Sequence, residues 1–511
     1  FLLAELLFES GQYAKAAEEY VVTAYNYDTH DKAADAGYAS VLARAKHEAV
    51  LGDSAQRDWH EQSIENALRF ATSFPEHAQS LAVLTKSAEQ LLAISHNARA
   101  IEVAQAVIDN EAATATQQRV AWTVQAHAWF DLEDYLHAEQ AYQQVLPRIE
   151  GDDETKNSII ERLAASVYKQ GEAAQAAGET AAAVGHFQRV RKVAPAASIV
   201  ATAEYDAAAG MLQLQDWTTA AATLAQFRQA YPDDPRQGEV TRRLATAYLS
   251  ANQPLEAANE FERIARNNPD ASLRKDALWQ AAELYAQAQR PAQSTDMYTL
   301  YIDAFPQPWE PAIEARHGVA EQSRAAGNTG DYHRWLAEII SADRKAGSGR
   351  TDRTRFLAAK AQLTLARVQY TRYQAVKLQL PLKKSLGTKK RLMQDTLQQF
   401  EQAAAYEVAE VTTASAFHTA QIYTHLAEAL MQSERPKNLD AEALEQYNIL
   451  LEDQSYPFEE QAIALHETNA ARLEAGHYDA WIEKSLQVLA ELVPAQYAKL
   501  EKGATHVAEL R

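Results

Sequence analysis

The sequence predicts an all-α solenoid, in which one helix-pair unit is stacked on copies of itself. The main observation is a period of 37 residues shared by four series of positions. Stacked copies of one unit bury a continuous core that no single copy can bury alone. No convincing run of alternating β-branched residues is present, which argues against a sheet. The four series are Phe187, Leu224, Phe261, Tyr298; Val190, Phe227, Ile264, Tyr301; Ala183, Ala220, Ala257, Ser294; and Pro195, Pro232, Pro269, Pro306.

The segment from Tyr205 to Pro232 shows how one unit is built. Apolar residues at helical spacing predict a first helix, the short sequence 215–217 predicts a turn, and a second apolar stripe predicts a second helix. We expect the second helix to end before Pro232, because proline cannot continue a helix. The first stripe consists of Ala207, Ala208 and Met211, and the second of Ala220, Leu224 and Phe227.

The same pattern occurs at residues 3–20, 80–110, 122–145 and 476–494. Its small–aromatic–small signature and closing proline resemble the tetratricopeptide repeat (TPR), a helix–turn–helix motif of about 34 residues. The resemblance is most specific between Trp122 and Pro306. It implies a right-handed superhelix of about ten to thirteen helix pairs.

In such arrays the first helix of each unit lines a concave groove that holds a segment of a partner protein. The resemblance therefore implies partner-binding residues at exposed positions of those helices. We interpret the aromatic residues of the pattern, including Trp122 and Trp129, as core packing, and we expect no cofactor. The candidate groove residues are Arg242, Arg243, Glu283 and Gln287.

The whole chain also resembles large Gram-negative envelope TPR proteins associated with Tol/Exb-type or gliding-type machinery. The likeness lies in the Ala-rich helices and in the sequence Leu-Val-Pro-Ala-Gln-Tyr at 492–497. It implies partners that are larger envelope-complex subunits and a periplasmic or outer-membrane-associated location, with a cytoplasmic location as the alternative. Phe1 is not a translation start, so we expect any targeting segment or lipid anchor to lie upstream.

Composition excludes several kinds of site. The 511 residues include no cysteine, which excludes disulfides, thiol catalysis and cysteine-based zinc sites. Apolar residues make up 47% of the chain, enough for a continuous core. No apolar run approaches the roughly 18–20 residues that span a bilayer, so we expect no transmembrane segment.

A basic segment interrupts this acidic chain between Arg344 and Arg391. Its 48 residues contain fourteen Lys or Arg and one acid, Asp352, which gives a formal charge of +13. The whole chain carries −20, so the remaining residues carry −33. Such asymmetry within one chain points to an interaction surface. The partner-binding residues predicted there are Lys377, Lys383, Lys384, Lys389, Lys390 and Arg391.

The basic segment also breaks the repeat. One helix is predicted from Thr354 to Leu380, Pro381 interrupts, and a second helix is predicted to run to about Ala409. Both would be roughly twice the length of a repeat helix, so we interpret them as an inserted long basic helical hairpin or as an enlarged repeat. The predicted domains are a TPR-like array at 1–343, most regular at 122–306, the basic hairpin at 344–409 and C-terminal TPR-like helices at 410–511.

Three interpretations of the basic segment remain open at this point. It could neutralise the acidic inner wall of its own superhelix. It could dock onto an acidic protein partner. It could bind phosphate, either on an anionic lipid surface or on nucleic acid, although the −33 charge around it would repel a polyanion at long range and disfavours nucleic acid.

No catalytic constellation is found. His-Glu pairs occur without the second histidine, four residues on, that a helical zinc-protease motif requires. His418 and His425 are two helical turns apart, but no third metal ligand can be nominated. The acidic pairs 152–153 and 233–234 are interpreted as loop and helix-capping residues. The His-Glu pairs begin at His47, His60 and His466.

We therefore expect a scaffold without enzymatic activity, a subunit of a bacterial cell-envelope assembly that binds other proteins through the groove and the basic hairpin. The alternative is a regulatory or client-presenting TPR subunit of an enzyme complex that binds short peptide segments. A third class, an enzyme with no recognisable motif, would be indicated by a consistent metal signal in the purified protein.

Overall fold

A computed structural model of the chain describes residues 1–28, 30–51, 53–151 and 153–498, without the side chains of 53–55 and 153. Every regular element in those ranges is a helix, and within residues 1–251 and within residues 252–498 consecutive helices pack against one another in chain order. The predicted all-α class and the TPR-like stacking are therefore confirmed. The chain divides into two compact units, residues 1–251 and 252–511. The domain boundaries predicted after 343 and 409 stay predictions.

The first unit is a run of paired helices. Small residues at the helix contacts are fully buried, for example Ala183, Ala220 and Ala207 at 0–2% exposure. Its helices are α1 Leu2–Glu9, α2 Tyr13–Tyr25, α3 Ala33–Glu48, α4 Asp53–Ser73, α5 Ser80–Ala93, α6 Asn97–Ile108, α7 Ala115–Asp131, α8 Tyr135–Val145, α9 Asp153–Ala176, α10 Thr180–Val193, α11 Val200–Gln213, α12 Trp217–Ala230 and α13 Gln237–Ser250.

The turn predicted at 215–217 is a helix-ending motif that also starts the next helix. The amide of Asp216 donates to the carbonyl of Met211 and that of Gln215 to Leu212, both at 3.0 Å. These are the bonds of a Schellman motif, in which Gln215 takes a left-handed φ of 61°. The Asp216 side chain then accepts from the amide of Thr219 and caps α12. Left-handed residues recur in the corresponding turns at Gly11, Ser95, Glu133 and Gly178.

The 37-residue series have the predicted positions. The aromatic and aliphatic members are buried, apart from the partly buried Phe261 and Ile264. The four prolines are exposed and each lies two residues after the end of α10, α12, α14 or α16. Prolines therefore mark helix ends, and the apolar series fill the spaces between helices.

Close helix approach is tightest at a glycine. A Cβ added at Gly171 of α9 would lie 2.5 Å from a ring carbon of Phe187, which belongs to α10 and is 2% exposed. At Gly185, on α10 itself, an added Cβ would meet nothing within 4 Å. The two glycines are thus a matched pair, one required by packing and one not.

The second unit continues the consecutive packing with several longer helices. Two of them, α19 and α20, contain 23 residues each, against 14 in α14 and α16. Its helices are α14 Pro254–Asn267, α15 Ala271–Gln287, α16 Pro291–Ala304, α17 Trp309–Ala325, α18 Thr329–Ala346, α19 Asp352–Gln374, α20 Leu382–Ala404, α21 Ala409–Met431, α22 Ala441–Ala470, α23 Ala480–Leu492 and α24 Pro494–Tyr497.

Both predicted long helices are present, but each is shorter than predicted. The first ends at Gln374 rather than at Leu380, and the second at Ala404 rather than near Ala409. Residues 375–381 form a connection, because the residue before Pro381 disfavours helical geometry. In addition, α19 packs on α18 and α20, while α20 packs on α19 and α21. The two helices thus take their place in the series as an enlarged pair does.

A buried lysine lies at the C-terminal end of α19. Lys389 is 0% exposed, and its Nζ donates to the carbonyls of Val376 (2.7 Å) and Tyr373 (3.4 Å). Nζ also lies 4.6 Å from the centre of the Tyr373 ring. The amine therefore satisfies carbonyls at the negative end of α19. Burial lowers the pKa of Lys389 to about 8.

We expect Gly171→Ala to lower the free energy of unfolding by about 1 kcal/mol, because overpacking against Phe187 outweighs the better helix propensity of alanine. Gly185→Ala is the matched control, and it should raise stability by about 0.5–1 kcal/mol. Urea unfolding followed by circular dichroism measures both. Equal effects of the two substitutions would contradict the packing argument.

The depressed pKa of Lys389 predicts a pH dependence. The unfolded chain binds this proton more tightly than the folded chain, so folding stability should rise as the pH increases from about 8 toward the ordinary lysine value. We expect Lys389→Met to remove this rise. The measurement is the unfolding free energy of both proteins between pH 7 and 9.5, and parallel curves would show that the amine does not titrate in this range.

Candidate interaction surfaces

The first half of the basic segment is largely neutralised by its own unit. Arg350 pairs with Asp343, which is 0% exposed, and Arg353 pairs with Glu314 of α17. Lys360 lies 2.6 Å from Glu410 of α21. A fourth pair joins Arg355 to Asp352, at 2.6 Å. Four of the six cations between Arg344 and Lys360 are therefore paired within their own unit, and neutralisation of an acidic inner wall stays a prediction.

The second half differs because its cations, apart from the buried Lys389, are exposed and form no ion pair with another described residue. They lie at the end of α19, in the connection and in the first turns of α20. We call these seven residues the basic face. They are Arg367, Arg372, Lys377, Lys383, Lys384, Lys390 and Arg391.

Four of the seven form one stripe. Lys383 and Lys390, and likewise Lys384 and Arg391, are seven residues apart on α20, so both pairs repeat on one side after two turns. The first turn of α20 contains no acidic residue, although a helix N-terminus carries partial positive charge. Lysines at this end cost folding energy, about 0.3–1 kcal/mol each for an exposed helix end. The stability of the fold thus does not explain why lysines occupy the first turn of α20.

A pocket of about 540 Å³ opens next to the basic face, where the 375–381 connection meets α21. Lys377 and His425 line it together with the carboxylates Glu428 and Glu434. The Glu434 carboxylate accepts from the amide of Leu380 at 3.0 Å, which holds the connection in place. The carboxylates lower the positive potential around Lys377, and none of the described carboxylates forms an ion pair with the stripe on α20.

Lys389 requires a correction. It was predicted to bind a partner together with its neighbours. It is instead fully buried, and its amine donates to carbonyls at the C-terminal end of α19. At 100° per residue, Lys389 points away from the stripe formed by Lys383 and Lys390. A partner on the basic face therefore cannot reach it in this structure.

The predicted groove residues belong to different compact units, two to residues 1–251 and two to residues 252–511. Arg242 and Arg243, on α13, both pair with Glu239. Glu283, on α15, accepts from the indole of Trp279 at 2.9 Å, and Gln287 is exposed. Their role in partner binding stays a prediction, and the two arginines already have a counter-charge.

A pocket in the first unit was missed by the sequence analysis. It has a volume of about 570 Å³ and lies between α6, α7 and α8. Trp122 and Trp129 are partly buried: they pack against the core around Tyr142, as the repeat pattern predicted, and they also line this pocket. Their spacing of two turns on one face of α7 was the available signal, but it is equally typical of packing. The other lining residues are Ile101, Glu102, Gln105, Gln125, His137, Gln140 and Ala141.

Two of the histidines considered in the sequence analysis, His418 and His466, are core residues. His418 is 9% exposed and stacks on Phe400 at 5.2 Å, while His466 is 0% exposed with its Nδ1 3.2 Å from the Ser485 hydroxyl. Burial lowers the pKa of each to about 4. Within the described ranges, no group of three His, Asp or Glu could hold a metal. The absence of enzymatic activity stays a prediction.

Other expected features can be placed briefly. Asp152 lies outside the described residues. Asp234 does not cap a helix, because its carboxylate accepts from the backbone and side chain of Arg236 in the connection before α13. Among the helices of the described chain, none is both long and apolar enough to cross a membrane.

The family model described as "Tetratricopeptide repeat" matches residues 165–197 and 202–234, whose first residues are 37 apart. No curated protein matches the chain. One similar solved structure is the C-terminal part of a TPR repeat-containing protein from Cytophaga hutchinsonii. It is 14% identical, with 52% of this chain and 99% of that chain covered and a TM-score of 0.23.

A second similar structure is YrrB, described as a TPR protein with an unusual peptide-binding site. It is 13% identical and covers 40% of this chain and 96% of its own, with a TM-score of 0.23. The third is Naa15/Naa10 bound to HypK-THB, which is 13% identical and covers 90% of this chain and 64% of that one, with a TM-score of 0.28. TM-scores this low carry no argument about the course of the chain.

The likeness to tetratricopeptide repeats therefore depends on the repeat itself. The two matched segments have the 37-residue spacing of the buried series, and they include α10, α11 and α12 with the Schellman turn at Gln215. The chain thus contains tetratricopeptide repeats.

Proposed function

We propose that this chain is a non-catalytic protein-interaction scaffold whose basic face docks onto an acidic segment of a partner protein. The observation that carries the proposal is the set of seven exposed cations without an ion-pair partner among the described residues. They occur in a chain whose formal charge is −20. TPR arrays commonly bind proteins, which supports a protein partner.

The charge distribution supports docking rather than self-neutralisation for this half of the segment. Cations near Glu314 and Glu410 are paired, so the unit supplies counter-charges where its helices approach one another. Lys383, Lys384, Lys390 and Arg391 form no ion pair with any residue that the structure describes. A complementary acidic surface would speed association and select the partner, and both effects weaken as salt rises.

Binding to phosphate is the competing use of the same cations. The cation stripe lacks interleaved aromatic residues of the kind that stack on nucleic-acid bases, and the remaining −33 charge opposes a long polyanion. A membrane surface with anionic lipids would need only the stripe itself. Because TPR arrays commonly bind proteins, we favour a protein partner and treat lipid binding as an outcome of the test.

We further propose that the assembly belongs to a bacterial cell envelope, with the chain in the periplasm or at the outer membrane. This proposal is supported by the resemblance to envelope TPR proteins, which lies in the Ala-rich helices and in the sequence at 492–497. Cell fractionation followed by immunodetection tests this location. Recovery in the cytoplasmic fraction alone would overturn the envelope part of the proposal and leave the docking surface unaffected.

A second candidate function is a client-presenting subunit of an enzyme complex that binds short peptide segments. The pocket between α6, α7 and α8 favours it, because a concave site with two partly exposed indoles can hold a side chain of an extended peptide. This function and the scaffold function use different units of the chain.

We expect simultaneous reversal of the stripe (K383E, K384E, K390E and R391E) to reduce partner association at least tenfold, because attraction becomes repulsion. Lys389 is kept, since a glutamate there would bury an unpaired charge. The measurement is co-purification of full-length tagged protein in its native host, combined with a zero-length carbodiimide cross-linker that joins amines to carboxylates directly.

The matched control reverses three lysines and one arginine that are exposed and have no ion pair among the described residues: K46E, R57E, K192E and K437E. It changes the net charge equally and should leave association intact. Cross-links from Lys383, Lys384 or Lys390 to one protein's carboxylates are the expected result. Unchanged co-purification of the stripe variant, or binding only to phosphatidylglycerol vesicles, would contradict the proposal.

A further inference from the structure

The pocket between α6, α7 and α8 has an aromatic floor. Trp122 and Trp129 stand two turns apart on α7, and neither indole N–H donates a hydrogen bond to another described residue. Ile101 and Ala141 complete the apolar lining from the two flanking helices. The exposed part of the two indoles leaves apolar ring surface in contact with water, and a ligand that covers this surface gains the free energy of its burial.

The walls of the pocket are held rigid by polar contacts. The amide of Gln125, which is 4% exposed, donates to the Gln105 side chain at 2.8 Å and to the Ile101 carbonyl at 3.3 Å. The His137 ring stacks on Trp129 with centres 4.9 Å apart. Its Nδ1 lies 2.8 Å from a carboxylate oxygen of Asp134. The shape of the pocket therefore exists before any ligand arrives.

The charge around the pocket is negative. Its lining contains the exposed carboxylate of Glu102 and no lysine or arginine. Between Asn97 and Val145 there are seven carboxylates and two arginines, a formal charge of −5, and one of the seven, Glu139, is paired with Arg189 of α10. The arginine nearest in sequence, Arg99, pairs with Glu65 at 2.5 Å. A ligand group that enters this pocket is thus favoured if it is cationic.

We propose that this pocket binds the guanidinium group of an arginine in a partner protein. A planar guanidinium can stack on the indoles, where tryptophan gives the strongest cation–π attraction, and its fork of donors can reach Glu102 and the amide oxygens of Gln105 or Gln140. A lysine ammonium is a compact, strongly hydrated charge and uses a flat aromatic floor less well. The inference rests on the proposed function only in taking the ligand to be a protein segment.

The test uses the full-length chain and three capped pentapeptides, Gly-Gly-X-Gly-Gly, in which X is arginine, citrulline or lysine. Citrulline keeps the shape of arginine but is neutral. We expect the arginine peptide, at millimolar concentration, to shift the indole N–H NMR signals of Trp122 and Trp129, identified by W122F and W129F. The arginine peptide should bind roughly three- to tenfold more tightly than the lysine peptide and more tightly still than the citrulline peptide.

Glu102→Gln should weaken arginine binding roughly three- to tenfold, whereas Glu111→Gln, a matched exposed carboxylate of the same segment outside the lining, should not. The stripe variant on α20 should bind the arginine peptide normally, so failure of the basic face and failure of the pocket are distinguishable. No shift of either indole signal, equal binding of arginine and citrulline, or equal loss in both glutamine variants would overturn the proposal.

Discussion

Burial of one helix flank against the next is the interaction on which the rest of this molecule depends. Isolated helices of 14 residues are only marginally stable, because helix nucleation is costly and a single helix can bury little of its own apolar surface. Small residues such as Ala220 and Ala257 let neighbours approach until the larger residues of the series meet. Each pair then stabilises the next, and stability accumulates along the chain. The Gly171–Phe187 contact is one example of this constraint, and the equally close approach of Gly210 to Val184 is another.

Such local stacking leaves the outer surface free to vary. A helix in this series needs only its buried flanks, so charges on its exposed side are not constrained by the core. The chain uses this freedom in opposite ways in its two units. Between Asn97 and Val145 it places acidic residues around partly exposed tryptophans, while α20 carries a stripe of cations. The two surfaces therefore suit partners of opposite charge.

Some polar side chains are buried among the apolar residues of the core. Their surroundings show how the free-energy cost of burying them is offset. Lys389 is buried, but its amine meets two carbonyls at the end of α19 and the face of Tyr373. Glu139 is 3% exposed and is paired with Arg189 at 2.5 Å. His418 has no hydrogen-bond partner among the described residues and stays neutral among aromatic rings. Burial lowers the pKa of both Lys389 and His418.

The sequence by itself determined the helix-pair unit, the 37-residue period, the helix ends at the prolines and the position of the basic segment, because all of these are local patterns. It could not determine which cations are available. Arg353 is neutralised by Glu314, 39 residues away, and Lys389 is covered by a different helix from its own. Nor could spacing distinguish Trp122 and Trp129 as pocket residues from core residues. Pairing and exposure depend on neighbours that only the folded chain brings close, and for that reason the tertiary structure decided them.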